Sequence, residues 1–259
     1  TQKGLAIIPS GIEKFSQLEA KVRNFGSNVI SIGDDESSDV RISTIEVLEN
    51  AITAKIIDQK QKSWNVKLKT AGKHYMKNAT ALLTLVSSLN LDLSKAILAL
   101  QSWSPLAGRG QVLEVKLKAS NCNKIIHLID ESYNANPSSV RSSLETLACI
   151  FTNKKGKGEH YRRIAVLGDM LELGLSELKE HVNISKFARL NKIDKIYCVG
   201  SRMKKLFDVL PSSKRGYWTE TAEEMQNVLV NKLENGDIIM IKGSFSMGMK
   251  TIVNKLKNI

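Results

Sequence analysis

The chain has 259 residues and a formal net charge of +12, with 42% hydrophobic and 25% charged residues. That is enough sequence for one large domain or two ordinary ones, with the balance of a globular protein and no low-complexity tract. No apolar stretch approaches the roughly 18 residues needed to cross a bilayer, which excludes an α-helical membrane span and any expectation of membrane insertion.

Thr1–Gly4 does not read as a signal peptide, and an apolar run follows at once, so the chain is expected to start inside a fold. Leu5–Pro9 and Val29–Ile32 read as buried strands, with a helix over Lys14–Phe25 between them. Val40–Ile57 and Trp64–Lys69 alternate at period two, as half-buried antiparallel strands do. His74–Leu89 reads as a helix with Ala79, Leu82, Leu83 and Val86 on one face. A shorter helix over Leu93–Leu100 has Ser94 near its start. Ser102–Gln111, with Pro105, Gly108 and Gly110, is the best linker candidate.

Beyond it the pattern becomes regular. Strands are expected at Ile125–Ile129, Ile164–Leu167, Lys195–Val199 and Asp237–Ile241. Helices are expected at Pro137–Phe151, Leu175–Leu190, Met203–Leu210, Ala222–Leu233 and Met249–Lys257. Alternating strands and helices predict a parallel sheet covered on both faces, with ligands beyond the carboxyl ends of its strands. That rule singles out three loops: Asp130–Pro137, Gly168–Gly174 and Lys242–Gly248.

In the first loop, Asn136 is a natural N-cap and Pro137 suits the first helical turn. An ordinary strand–turn–helix explains those two residues. It does not explain Asp130, Tyr133 and Asn134 crowded at a strand end, where a carboxylate suits ribose hydroxyls. In the second loop, Asp169 and Glu172 could hold Mg²⁺ or could cap and solvate the next helix, with equal weight. His181 reads as a structural residue. The third loop approaches the phosphate-binding pattern G-x-x-x-x-G-K-[ST], but Met249 stands between Gly248 and Lys250. One extra helical residue turns the lysine by about 100° around the axis, so the P-loop reading is rejected. Gly243, Ser244 and Ser246 still offer N–H and hydroxyl groups to a carboxylate. Upstream, Gly72–Ala79 opens a helix with a polar face. Arg109, between Gly108 and Gly110, suits a phosphate or a structural ion pair.

Cys122, Cys149 and Cys198 are far apart and odd in number. They read as buried free thiols in a reducing cytoplasm rather than a disulfide or zinc framework, so a cytoplasmic location and no metal site are expected. The dense basic run Lys154–Arg163 reads as a solvated loop. Basic and aromatic residues do not interleave as on a base-stacking surface, and no nucleic-acid partner is expected. A nucleotide satisfies the positive charge as well as a polynucleotide would.

Asp130-Glu131-Ser132-Tyr133-Asn134-Ala135-Asn136-Pro137 resembles the D-x-x-Y-N-A-N-P signature of the Mur ligase family, MurF type. His74 with Asn78-Ala79, Gly108-Arg109-Gly110, Leu167–Gly174 and Lys242-Gly243-Ser244 support it in order and spacing. The resemblance covers essentially the whole chain. It implies a Rossmann-like C-terminal domain over residues 108–259, preceded over 1–107 by the later half of a mixed α/β, ATPase-type central domain. It also implies an ATP- and Mg²⁺-dependent ligase of peptidoglycan precursor synthesis, with UDP-N-acetylmuramoyl-tripeptide and D-alanyl-D-alanine as substrates. ATP would phosphorylate the terminal carboxylate, and the dipeptide amine would attack the acyl phosphate. By that resemblance Asn78 and His74 lie on the nucleotide side, Arg109 meets phosphates and Asp130 meets ribose. Tyr133, Asn134, Asn136, Lys242, Ser244 and Ser246 lie toward the acceptor. Three departures stand out. The family's P-loop, metal-binding glutamate and modified lysine are missing, Phe245 stands where arginine is usual, and Ile8-Pro9-Ser10-Gly11 lacks the Asn-Asp-like residues expected there. A separate polypeptide carrying the missing half, or a non-catalytic binding module, is the corresponding expectation.

Overall fold

Period-two alternation shapes the first of two units, Thr1–Ser104, into which the chain divides before Pro105. The computed structural model describes residues 4–48, 51–119, 122–150 and 161–259. Phe151 and most of the basic run, through residue 160, lie outside the described residues.

The first unit contains β1 (Leu5–Pro9), α1 (Phe15–Asn24), β2 (Asn28–Gly33), β3 (Val40–Val47), β4 (Ile52–Ile57), β5 (Ser63–Leu68), α2 (Lys73–Ser88) and α3 (Leu93–Ser102). The sheet order is β1-β2-β3-β4-β5. The first three strands run parallel, and β3, β4 and β5 pair antiparallel. Ile42, Ile52, Ile56, Val66 and Leu68 point inward and meet Met76, Ala79 and Leu83 of α2. Leu82, expected on the buried face, is instead exposed, and Thr80 and Thr84 take the inner positions. Their hydroxyls donate to the carbonyls of Met76 and Thr80, each at 2.8 Å, which satisfies a polar group inside a core. The cap of α3 is Asp92. Its carboxylate accepts the Lys95 N–H at 3.1 Å.

The second unit, Pro105–Ile259, contains β6 (Gln111–Ala119), β7 (Cys122–Glu131), α4 (Pro137–Cys149), β8 (Arg163–Gly168), α5 (Glu177–Asn183), β9 (Lys195–Val199), α6 (Ser201–Val209), β10 (Arg215–Thr219), α7 (Ala222–Lys232), β11 (Ile238–Lys242) and α8 (Lys250–Lys257). The sheet order is β10-β9-β8-β11-β7-β6, parallel throughout except for β6, which pairs antiparallel with β7. Ile164 and Val166 share a core with Met225 and Leu229 of α7 and Ile252 and Leu256 of α8. The alternate residues Ala165, Leu167 and Met240 are equally buried, and α4 packs on β8 and β11. Successive residues of a strand face opposite ways, so helices cover both faces as expected.

Three elements differ from expectation. Strands β6 and β10 form where none was read. The helix expected over Leu175–Leu190 is only α5, flanked by single 3₁₀ turns at Gly174–Ser176 and Ile184–Lys186. Asn183 and Ser185 hold a helix weakly, and the chain tightens there into i→i+3 geometry.

At the amino ends of the strands, Arg162 grips the buried Asp237 bidentately, at 2.8 and 2.7 Å, and also reaches Glu234 at 2.5 Å. Removing Arg162 strands the buried Asp237 carboxylate. Arg162→Ala is therefore expected to cost about 3 kcal/mol in chemical denaturation, with a loss below about 1 kcal/mol counting against this role.

Candidate functional site

The strand order sets β8, β11 and β7 side by side, although β11 is last in sequence. The chain passes from β7 beyond β11 to β8, builds outward to β10, and returns to fill the gap. The carboxyl ends at this reversal carry the loops after Glu131, Gly168 and Lys242, the usual place for a ligand crevice.

In the first loop Asp130 is 1% exposed. Its Oδ2 accepts the Gly108 N–H at 3.0 Å, and its Oδ1 accepts the Ser132 N–H at 3.2 Å and the Ser132 hydroxyl at 2.6 Å. Two backbone bonds reinforce the link: Gly110 N–H to the Asp130 carbonyl at 2.7 Å, and Tyr133 N–H to the Gly108 carbonyl at 3.0 Å. Gly108 has φ +79°, and a Cβ there would stand 3.1 Å from Tyr133 Cβ, so both conformation and space call for glycine. The turn stations Arg109, exposed, with its guanidinium 3.9 Å from the centroid of the Tyr133 ring. Tyr133 in turn meets the Phe245 ring at 5.9 Å between centroids. The outcome is an exposed strip of Arg109, Tyr133 and Phe245 on a buried polar anchor.

Behind that strip lies a buried ion pair. Lys242 is paired in register with Glu131 on the neighbouring strand. Its ammonium donates to Glu131 Oε2 at 3.2 Å and to the Asn134 carbonyl at 3.0 Å. Lys242 and Glu131 are 3% and 8% exposed. The Asn134 side chain accepts the Ala135 N–H at 2.8 Å. Asn136 caps α4 by accepting the Ser139 N–H at 2.8 Å, with the Ser139 hydroxyl completing a capping box.

The second and third loops are tied together. Ser244 N–H donates to the Asp169 carbonyl at 3.0 Å, and the Leu171 N–H donates to the Ser244 hydroxyl at 2.8 Å. A Cβ on Gly243 would stand 3.0 Å from Gly168 Cα and 2.6 Å from Met249 Cγ, so two glycines permit this approach. The Asp169 carboxylate accepts the N–H groups of Arg202 and Met203 at 3.2 and 2.7 Å, with the Arg202 guanidinium at 3.6 Å. Of the two readings for Asp169, helix capping is the one the geometry carries, and the helix is α6 rather than the next one along. Anions at a helix start are favoured by the exposed N–H groups and the dipole. Among the described residues, no cluster of three His, Cys, Asp or Glu side chains could hold a metal.

His181 is fully buried. Its Nε2 accepts the Met170 N–H at 2.9 Å, and its Nδ1 lies 2.6 Å from the Glu177 carbonyl, which fixes a neutral ring with the proton on Nδ1. The histidine thus pins the second loop and is structural, as its isolation on a helix suggested. His181→Ala is expected to cost about 3 kcal/mol, from an orphaned N–H plus a cavity. Thermal unfolding measures it, and a shift under about 2 °C would contradict it.

In the first unit, His74 and Asn78 lie one turn apart near the start of α2, with Asn78 exposed. The His74 ring lies 4.1 Å from that of Tyr75, tilted by 41°, and Tyr75 meets Trp103 at 5.1 Å. The carboxyl ends of β1 and β2 gather a polar group that sequence reading passed over. Asp35 accepts from the hydroxyls of Ser10 and Ser37, each at 2.5 Å, and those bonds hold its carboxyl down at about 2. The strand-end rule, applied to Ser10 and Gly33–Glu36, would have found it.

Residues 114–245, just over half the chain, match the family described as Mur ligase, glutamate ligase domain. The chain belongs to the Mur ligase family. Two curated relatives are UDP-N-acetylmuramoyl-tripeptide–D-alanyl-D-alanine ligases. That of Rickettsia prowazekii is 21% identical over 98% of this chain and 53% of its own length. That of Buchnera aphidicola is 30% identical over 74% of this chain and 38% of its own. Among solved structures, MurF from Acinetobacter baumannii superposes over 100% of this chain and 52% of its own, with TM-score 0.79 and 23% identity. MurF from Thermotoga maritima in complex with ADP superposes over 99% and 54%, with TM-score 0.78 and 20% identity. The chain thus spans about half the length of these relatives.

Within this Mur ligase chain, Arg109, Asp130, Tyr133, Asn134, Lys242 and Ser244 converge on adjacent strand ends. Ser246 is exposed on the turn after β11, beside Phe245. Lys242, Ser244 and Asn136, which the resemblance set toward the acceptor, carry structural bonds, and Asn136 caps α4 as its place before Pro137 suggested. Cys198 is buried and free, and burial pushes its thiol pKa well up, which fits an inert core residue. Cys149 is half-buried and in no disulfide among the described residues, while the Cys122 side chain lies outside the description. No helix among the described residues is long and apolar enough to cross a membrane.

Proposed function

We propose that this chain is the acceptor-handling portion of an ATP-dependent ligase that adds D-alanyl-D-alanine to UDP-N-acetylmuramoyl-tripeptide. The observation that carries the reading is the anchored strip at the end of β7: Asp130 holds Gly108, and Gly108 stations Arg109 over Tyr133. The names of the curated relatives support it.

In this reading residues 1–107 are the later half of the ATP-binding domain and residues 108–259 the acceptor domain. Arg109 meets phosphate through a planar, permanently charged fork. Asn78 and His74 serve the base side of the nucleotide. A carboxylate has about four acceptor positions, and Asp130 already fills three. The fourth is buried, so a ribose hydroxyl reaches it only when the Gly108 turn shifts. ATP supplies the phosphoryl group that turns the tripeptide carboxylate into an acyl phosphate, with Mg²⁺ accompanying it. The dipeptide amine then forms the C–N bond, the C–O bond to phosphate breaks, and the amine loses a proton. Tyr133, Asn134, Ser244 and Ser246 border the crevice where the amine would be oriented, and orientation of two reactants is a large part of such catalysis.

The sequence holds no P-loop, so turnover calls for a polypeptide that carries one. The test mixes this chain, a P-loop-bearing N-terminal half, ATP, Mg²⁺, UDP-N-acetylmuramoyl-tripeptide and D-alanyl-D-alanine. Dipeptide-dependent phosphate release is expected, and its absence from the complemented mixture would sink the proposal. A second reading is a module that binds nucleotide or dipeptide without turnover. Calorimetry of the chain alone with ATP and with the dipeptide tests it, and no heat with either removes it.

A further inference from the structure

A cavity of about 380 Å³ lies in the first unit, lined by the end of α2 and by the hairpin, residues 58–62, that joins β4 to β5. That volume is within the range of small-ligand sites. Trp64, paired with Ile56 across the β4–β5 ladder, packs partly against the core and also lines the cavity. Its indole N–H is bonded to no group among the described residues. A half-buried tryptophan usually finds a partner for that N–H, so a donor and an aromatic face are both left for a ligand.

The hairpin is built to hold its lysines. Asp58 Oδ1 accepts the N–H groups of Lys60 and Lys62 at 2.8 and 2.9 Å, and the Asp58 N–H donates to the Lys62 carbonyl at 3.0 Å. Both lysines line the cavity, and neither ammonium has an ion-pair or hydrogen-bond partner among the described residues. At the α2 end, Asn90 closes the helix at φ +53°, and the side chains of Ser87 and Asn90 line the cavity without a hydrogen bond among the described residues.

These features select a ligand with two unlike ends. The tryptophan face suits the C–H face of a sugar ring. Hydroxyl and amide groups suit the ring's hydroxyls, which need partners when they leave water. The carboxyl end of α2 carries partial negative charge, so it favours hydroxyl donors and turns an anion toward the hairpin. Lysine binds phosphate there as a point charge. We propose that this cavity is a binding site for a phosphorylated sugar, with the ring on Trp64 and the phosphate at Lys60 and Lys62. The proposal does not depend on the function proposed above.

The test is an NMR chemical-shift titration of the 259-residue chain with glucose 1-phosphate, glucose and inorganic phosphate. Glucose 1-phosphate is expected to bind about tenfold more tightly than either of the other two. Trp64→Leu is expected to weaken glucose 1-phosphate about tenfold and leave inorganic phosphate unchanged. The double variant Lys60→Gln, Lys62→Gln is expected to weaken both phosphates about tenfold. Its substitutions are exposed and leave the backbone bonds to Asp58 in place, so it is expected to fold even where Trp64→Leu does not. Inorganic phosphate binding as tightly as glucose 1-phosphate, affinities unchanged in the double variant, or binding of no probe would overturn the proposal.

Discussion

Replacing Lys242 with alanine is expected to cost about 3–5 kcal/mol of folding stability, the largest effect of any single change at this site. The lysine and its partner Glu131 occupy matched positions on neighbouring strands and are both buried. Removing the ammonium leaves the Glu131 carboxylate without its 3.2 Å partner and the Asn134 carbonyl without its 3.0 Å donor. Attraction inside a low-dielectric site roughly repays the desolvation of both ions, so the pair as a whole adds little. Breaking it exposes the full cost. The double variant Glu131→Leu, Lys242→Met is therefore expected to recover most of the loss. Urea denaturation of both single variants and the double measures this, and a double variant as unstable as the sum of the singles would refute it. The loss of function that Lys242→Ala would cause then has a structural origin, because the lysine fixes Asn134 and the loop bearing Tyr133.

This pair marks where sequence reading succeeds and where it stops. The parallel sheet, its two-sided cover and the three strand-end loops were legible, because buried β8 and β11 are continuous apolar runs between turn residues. Strand β6 was hidden by its position directly after a Gly-rich turn that looked like linker. Strand β10, Arg215–Thr219, is short and has no apolar run to betray it. Within the site, the resemblance set Lys242 and Ser244 toward the acceptor but could not show their bonds to Glu131 on β7 and to Leu171 on the second loop. Such partners are far apart in sequence and meet only because β11 inserts between β7 and β8. Which helix Asp169 caps was missed for the same reason: that helix begins at Ser201.

Asp130 is expected to act on nucleotide affinity mainly through Arg109. Its carboxylate holds the Gly108 N–H at 3.0 Å, and the left-handed turn at Gly108 delivers Arg109 to the Tyr133 ring. Asp130→Asn keeps the shape but sets an amide N–H or a weaker acceptor against that N–H. The expected loss is about 2 kcal/mol of stability, the size of a hydrogen bond to a charged group. ATP affinity of the complemented ligase is expected to fall roughly 30-fold, the equivalent of about 2 kcal/mol. Arg109→Ala is expected to lower it by a similar factor. If Asp130 works by stationing Arg109, the double variant binds ATP no more than about threefold more weakly than Arg109→Ala alone, since coupled residues are not additive. If Asp130 makes an independent ribose contact, the two losses multiply instead. An ATP titration of the four proteins decides between these outcomes. A multiplied loss would return Asp130 to the ribose and require the Gly108 turn to open when nucleotide binds, because the fourth acceptor position of the carboxylate is closed to solvent.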